Sequence, residues 1–388
     1  MSYFIYLNNE FFSKFYFNSE FCITSTSILL IIFIYIILRK YFFFTKNKKK
    51  SDSKDILSLM KNTPIIYIKS LSKLTGFDIY AKCEYFSYYT SKDRIIKRIL
   101  LDGINKGKIN KNTMIYEASK GLSGYSLASI CQLMGYNSTI VIPDSCPKNL
   151  IQKLQKTKCK LITTKNVDFS NFSYNYIRLC KRLSSDQNNS FYIDLYQNEL
   201  NFSTIFEETA PEFYAQLNKK FDAFVCCADT GGTISGFSNF LKIKNKNCFI
   251  ALADLEGSAI NSYIKEGVLF RQERKEENEK IINDNYSTGN CFLNNNLRKT
   301  NVDECYLCNE NEVMFIINYI KQNDGIDIGF NEGLNLVGIL KMIKDKKNIL
   351  PKNANITTIF FDNGTYDCEN VKNYQFENNP IKNIEEIY

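Results

Sequence analysis

From about Leu57 the chain alternates short apolar runs with longer stretches of helical spacing. Ile65 to Ile68 and Ile79 to Cys83 are β-branched runs of strand length. Asp93 to Lys106 puts Ile95, Ile96, Ile99, Leu100 and Ile104 on one side of a helix. Met114 to Glu117 reads as a strand, and Gly121 and Gly124 open a helix that runs to Met134. Ser138 to Ile142 is a strand stopped by Pro143, Leu150 to Lys156 is helical, and Lys160 to Thr164 is a strand. The second half repeats the style. A strand over Ala223 to Ala228 meets Gly231-Gly232 and a helix to Leu241, and strands follow at Phe249 to Ala253 and Thr357 to Phe361. This β-α-β-α-β order with short connections predicts mostly parallel sheet. Glu266 to Asn301 is charged and Asn-rich and predicts a long surface excursion, and no fixed-period repeat is visible.

Upstream the pattern changes. Cys22 to Leu38 carries no charge, and at 1.5 Å per residue it spans about 26 Å, enough for a hydrocarbon core. Arg39 and Lys40, the aromatic cluster Tyr41 to Phe44, and four lysines between Lys46 and Lys50 follow it. That order predicts one transmembrane anchor over 22–44 with a cytosolic exit. A cleaved signal peptide would need a basic start and a small-residue cleavage site, which this stretch lacks; a buried helix is the third reading. The expected organisation is an N-terminal segment at 1–21, the anchor at 22–44, a basic linker at 45–56, a smaller domain at 57–200 and a larger one at 201–388.

Composition narrows the chemistry. Of 388 residues 44% are hydrophobic and 23% charged, which is globular usage, and none is His. The missing His excludes a Ser-His-Asp triad, a Cys-His pair and any His-ligated metal. Catalysis must then use Lys, Tyr, Ser, Thr, Cys, carboxylates or a borrowed cofactor. The net charge of +8 sits largely near the N-terminus, so it does not point to a nucleic-acid-binding face. The 13 cysteines are odd in number and mostly in apolar runs, which predicts buried free thiols in a reducing compartment. Cys305 and Cys308 have CxxC spacing, but no second pair exists to complete a zinc site, so no metal is expected.

Three loops carry candidate chemistry. Thr90-Ser91-Lys92-Asp93-Arg94 lies between a strand and a helix. A lysine at a helix N-terminus feels the positive end of the dipole, which suits a nucleophilic amine; the plain reading is a solvated surface lysine. Ser119-Lys120-Gly121-Leu122-Ser123-Gly124 joins a strand to a helix, either as an ordinary βα turn or as an anion loop of free N–H groups. Asp229-Thr230-Gly231-Gly232-Thr233 sets two glycines between two threonines at a helix start. That is a phosphate cradle of backbone amides and hydroxyls, yet neither a Walker A nor a GxGxxG sequence. A phosphorylated organic cofactor fits it better than a nucleotide.

The order of motifs is distinctive. Asn62-Thr63-Pro64, SKDR around Lys92, YEASKGLSG from Tyr116 to Gly124, TGGT from Thr230 to Thr233, and Asp362-Asn363-Gly364 together resemble the cysteine synthase family of pyridoxal-phosphate enzymes. The flavour is similar to its membrane-anchored cysteine synthase-like and cysteine desulfhydrase branch, over about Leu57 to Asn370. The resemblance implies an α/β fold of type II (tryptophan synthase β-like), two domains of mostly parallel sheet with the cofactor between them, and a homodimer. It implies that Lys92 carries pyridoxal 5'-phosphate as a Schiff base, that Thr230, Gly231, Gly232 and Thr233 bind its phosphate, and that Asn363 stands beside its ring nitrogen. Ser119, Lys120, Gly121, Leu122 and Ser123 fall in the loop that holds the substrate carboxylate. The implied reaction is loss of a leaving group from Cβ of cysteine or an activated serine to an aminoacrylate, which sulfide converts to cysteine or water to pyruvate and ammonia.

The chain also departs from the family. Lys120 replaces a Ser, Leu122 replaces the Asn that contacts the cofactor's 3'-oxygen, and Asp229 replaces a Gly. Ser87-Tyr88-Tyr89 stands where the family has N-P-G-G, and Asn-rich sequence stands where a Gly-rich loop is expected before Asp303. Two further functions therefore stay open: a catalytically degenerate scaffold or binding protein, and a serine or threonine dehydratase on the same fold.

Overall fold

The computed structural model describes residues 55–165, 176–270, 292–366, 371 and 373–388. The predicted anchor and the basic linker up to Lys54 lie outside the described residues. Among the described residues no helix is long and apolar enough to cross a membrane.

The first half runs β1 (Ile65–Tyr67), α1 (Lys69–Thr75), β2 (Asp78–Cys83), α2 (Asp93–Asn105), β3 (Met114–Ala118), α3 (Leu122–Met134), β4 (Asn137–Pro143), α4 (Lys148–Gln155), β5 (Lys160–Thr164), α5 (Tyr176–Ser185) and β6 (Ser190–Tyr192). The second runs α6 (Glu199–Thr204), α7 (Ala210–Gln216), β7 (Ala223–Cys227), α8 (Gly232–Lys244), β8 (Phe249–Leu255), α9 (Ile260–Glu266), β9 (Glu304–Cys308), α10 (Glu310–Asp324), α11 (Phe330–Lys346) and β10 (Asn355–Phe360).

Two sheets result, ordered β1-β2-β10-β7-β8-β9 and β5-β4-β3-β6. Every pairing is parallel except β1 with β2. The larger sheet thus takes its first two strands from ahead of residue 84 and the rest from beyond residue 222. Central strand β7 is buried on both faces, which is why AFVCC reads as an unbroken apolar run rather than an alternation.

Helices cover the sheets in layers. One core packs α2, α3, α7 and α8 between the two sheets, around Ile95, Ile99, Leu127, Phe213 and Phe237. A second packs α1, α10 and α11 on the outer face of the larger sheet, around Leu71, Val313 and Leu336. A third sets Tyr176 and Cys180 of α5 against Tyr116 and Val141 of the smaller sheet.

The described cysteines are free, and all but Cys159 are buried. Cys305 and Cys308 are three apart on β9, an odd step that turns them to opposite faces. Cys305 enters the inter-sheet core and Cys308 the outer one, so they do not meet.

One expectation needs correcting. The stretch 266–301 is no simple surface excursion, because its last part is interior: Asn294, Asn296 and Leu297 are buried. The asparagine side chains there bond to main chain, with Asn296 Nδ2 donating to Leu195 O at 2.9 Å, so polar sequence does not mean solvated sequence here.

Candidate functional site

Parallel strands β2, β10 and β7 end at one edge of the larger sheet, and three loops leave from it. Such an edge is where α/β sheets bind ligands. The loop after β2 leads to Lys92, the loop after β10 carries Asn363, and the loop after β7 holds Thr230 to Thr233. With only β10 between them, the ends of β2 and β7 are about 10 Å apart.

Lys92 immediately precedes the helix Asp93–Asn105 and is half-buried. Its Nζ lies 5.3 Å from the Phe361 ring centroid, which places the amine toward the end of β10. Its neighbour Ser91 is buried, and among the described residues the Ser91 hydroxyl oxygen meets no partner. The loop is held by Asp93. That carboxylate accepts from Tyr89 N at 2.6 Å, Thr90 N at 3.1 Å, Ser87 Oγ at 3.0 Å and Ser126 Oγ at 2.7 Å. Burial pushes the Asp93 carboxyl up, and those donors pull it back.

Beneath the loop lies a buried ion cluster. Arg94 Nε is 3.0 Å from Glu84 Oε2, Arg94 Nη1 is 3.2 Å from Glu212 Oε2, and Lys82 Nζ is 2.6 Å from Glu212 Oε1. Thr63 Oγ1 donates to Glu84 at 2.6 Å and Lys82 Nζ donates to Thr63 O at 3.0 Å, so the Asn62-Thr63-Pro64 motif is part of this base.

After β7 the two glycines sit at a helix start, as the sequence suggested. Gly231 has φ +78, and a Cβ there would meet Leu297 Cγ at 2.7 Å and its backbone N at 2.8 Å. A Cβ on Gly232 would overlap the Asn201 amide, so neither position accepts a side chain. The 13-residue helix Gly232–Lys244 begins here and aims its first N–H groups and its positive dipole end at the loop. Thr230 Oγ1 accepts from Asn201 Nδ2 at 3.0 Å. A glycine-floored helix start, two buried threonines and an orphaned serine hydroxyl beside Lys92 fit a phosphorylated aldehyde cofactor.

The loop Ser119–Gly124 comes from the smaller sheet and meets the Lys92 loop, with Thr90 Oγ1 donating to Leu122 O at 3.3 Å. Its hydrogen bonds run partly inward. Ser119 Oγ accepts from Gly121 N, Gly124 N and Ser123 Oγ, each at 3.0 Å. The Gly121 N–H of the expected carboxylate loop and the Gly124 N–H just past it are therefore engaged locally. Lys120 is half-buried with its Nζ 5.9 Å from the Tyr176 ring, and its carbonyl accepts from Cys146 Sγ at 3.3 Å. Below, Glu117 is buried, and its carboxyl is pushed well up by burial and by Asp194 and Asp229.

Asn363 is exposed, and its amide oxygen accepts from Thr365 N and Thr365 Oγ1. Asp229 is the position where the structure changes the sequence expectation. Its Oδ1 accepts from Tyr196 OH at 2.8 Å, so that oxygen is committed to the chain that follows β6. Sequence reading missed Tyr196, Asn201, Leu297 and the Lys82–Glu84–Arg94–Glu212 cluster. Only the cluster left a signal: two charges, Lys82 and Glu84, spaced by two at the end of an otherwise apolar strand.

Comparison with known proteins agrees with this geometry. Residues 56–362 match the family described as pyridoxal-phosphate dependent enzyme, and the chain belongs to that family. More particularly, it is 31% identical over 315 residues to a cysteine synthase of Dictyostelium discoideum, covering 80% of this chain and 82% of that one. It is 29% identical over 321 residues to a putative mitochondrial cysteine synthase of Saccharomyces cerevisiae, covering 79% and 81%. A solved hydrogen sulfide-producing enzyme from Fusobacterium nucleatum superposes with a TM-score of 0.68 at 24% identity, over 81% of this chain and 99% of that chain, and so shares the fold. The fold is thus α/β fold type II, and the cofactor is pyridoxal 5'-phosphate.

Proposed function

We propose that this chain is a membrane-anchored enzyme of cysteine metabolism that acts at Cβ of cysteine or an activated serine, by β-replacement with sulfide or by β-elimination. The observation that carries the reading is the placement of Lys92 and the glycine cradle at one sheet edge, a single strand apart. Bound pyridoxal phosphate would supply an electrophilic aldehyde and an electron-withdrawing ring, which acidify the substrate Cα–H. The residues supply the rest. Thr230, Gly231, Gly232 and Thr233 would hold the phosphate, Lys92 would hold the aldehyde carbon until the substrate amine displaces it and its freed amine would then move the Cα proton, and the loop Ser119–Ser123 would orient the substrate carboxylate. A cysteine synthase as relative supports the substrate class.

The test is the visible spectrum of the purified protein and its response to borohydride. Yellow colour as purified, bleached by borohydride with a pyridoxyl group left on the peptide that contains Lys92 and no such label in Lys92→Ala, is expected. A colourless protein after incubation with excess pyridoxal phosphate would overturn the reading. Cysteine and O-acetylserine with sulfide, assayed side by side, separate elimination from replacement.

We further propose a homodimer anchored by 22–44, with its catalytic part in the cytosol on the strength of the basic run Arg39 to Lys50. Protease added to intact organelles should digest the catalytic part; full protection would place it in a lumen. A second reading, a degenerate scaffold of the same fold, is favoured by the Ser119 hydroxyl that engages Gly121 N and Gly124 N. It predicts cofactor binding without turnover of any amino acid.

A further inference from the structure

We infer that Tyr196 is a positioning residue for the phosphate loop: it holds the Asp229 carboxylate out of the anion cradle that opens at Thr230. The inference rests on the assignment of Thr230–Thr233 to the cofactor phosphate. A carboxylate at the first position of such a loop is a fixed negative charge beside a phosphate dianion, and turned toward it would repel it strongly in a partly buried site. The structure gives that oxygen another partner. Tyr196 OH donates to Asp229 Oδ1 at 2.8 Å.

Tyr196 is fixed from several directions, so the contact is built rather than incidental. Asn201 Nδ2 and Asn296 Nδ2 each donate to Leu195 O at 2.9 Å, and Asn296 Nδ2 also reaches Tyr196 O at 3.2 Å. The Phe292 ring packs on the Tyr196 ring at 5.3 Å between centroids. The same Asn201 amide donates to Thr230 Oγ1, so the segment Leu195–Asn201 grips both Asp229 and Thr230. Burial pushes the Tyr196 hydroxyl well up, and the Asp229 charge adds to this, so it stays a donor across the range in which the protein is handled. The Asn-rich segment ending at Leu297 and the aspartate at 229 then form one arrangement. Where the family pattern has glycines, this chain has a charge and the side chains that aim it.

The experiment is a cofactor titration of the full chain, apo, with pyridoxal phosphate and separately with inorganic phosphate, at low and high salt. Tyr196→Phe removes one hold on the carboxylate and should weaken both ligands by about tenfold or more at low salt, and by less at high salt. In the Asp229→Asn background the same Tyr196→Phe change should cost little, because no charge is left to misdirect. Asp229→Asn alone should leave affinity within about threefold, since the charge already faces elsewhere. An equal loss from Tyr196→Phe in both backgrounds would reduce Tyr196 to packing. Should Tyr196→Phe fail to fold, Asp229→Asn still decides: tightening by more than about tenfold means the carboxylate faces the phosphate and the inference is wrong. Failure of the unmodified protein to bind either ligand would instead remove the cofactor assignment itself, and the inference with it.

Discussion

At the scale of single residues, the lysine depends on the aspartate next to it. Asp93 accepts from two backbone N–H groups and two hydroxyls of the loop and of α3, at the first turn of a helix whose dipole favours its charge. Asp93→Ala leaves buried donors without acceptors, which should cost about 3 kcal/mol or more. It should also raise hydrogen exchange at residues 87 to 92; a loss under about 1 kcal/mol in urea unfolding would show that Asp93 does not hold the loop. Leu122 is a different case. Its carbonyl is tied to Thr90, so the side chain at 122 starts beside the Lys92 loop. Leu122→Asn restores a donor or acceptor worth about 1.5–3 kcal/mol against a charged group, and turnover of cysteine should rise about tenfold or more. A slower enzyme would mean that this loop does not play the role the family pattern assigns to it. Where Leu122 was legible from motif order, Tyr196 was not, because its hydroxyl meets Asp229 across 33 positions of chain and no local pattern records that.

At the scale of elements, β2, α2 and α7 are pinned together by charge as well as by apolar packing. Lys82, Glu84, Arg94 and Glu212 form a balanced buried cluster in which each acid meets both bases. Removing one partner strands an opposite charge in the interior, so Arg94→Ala should cost about 3–5 kcal/mol in chemical unfolding. A loss below about 1 kcal/mol would show that water reaches the cluster. The pH dependence has a definite sign. Burial pushes the Glu212 carboxyl up, but Arg94 and Lys82 more than reverse this and hold it down to about 2. A carboxyl whose folded value lies below its unfolded one stabilises the fold above about pH 4.5, and that contribution disappears as pH falls toward 2. Glu212→Gln should flatten the stability profile in that window and leave its slope near neutral pH unchanged. The strands flanking this cluster were legible because parallel strands buried on both faces are plain apolar runs, as at Ala223–Cys227. Helix Phe330–Lys346 was not, since it is buried nearly all round, and Asn335 sits inside it, accepting from Cys227 N and donating to Ile359 O. A helix without a polar face carries no 3.6-residue signal. Strand Glu304–Cys308 was hidden for another reason: it is paired in parallel with Ala251–Leu255, and nothing in its own five residues names that partner.

At the scale of the whole described molecule, one strap ties the larger sheet to the smaller one on the side of Asn363. The loop after β10 reaches from the larger sheet to helices of the smaller one. Lys153 of α4 donates to Tyr366 OH, its Nζ lies 4.4 Å from the Tyr366 ring centroid and 5.7 Å from that of Tyr125, and Asn149 Nδ2 donates to Thr365 O. The Tyr125 and Tyr366 rings are 6.5 Å apart, and Tyr125 in turn meets Tyr89 of the Lys92 loop at 6.3 Å. Two loops of the site are thus linked through the Tyr125 ring of α3 and the Lys153 ammonium of α4. Two interactions of different strength act at Lys153. A charged hydrogen bond to the phenol contributes about 1.5–3 kcal/mol when shielded from water, and a cation over a ring about 0.5–2 kcal/mol. Lys153→Met removes both while keeping the apolar stem, whereas Tyr366→Phe removes only the hydrogen bond. Exchange of the amides from 361 to 366 should therefore accelerate in both variants, and more in Lys153→Met. If the strap acts on substrate binding rather than on chemistry, the Michaelis constant for the amino acid should rise in the same order with a smaller change in kcat. Equal exchange in all three proteins would show that the sheets are held together by the inter-sheet core alone, with the strap lying on the surface as a contact that costs nothing to break.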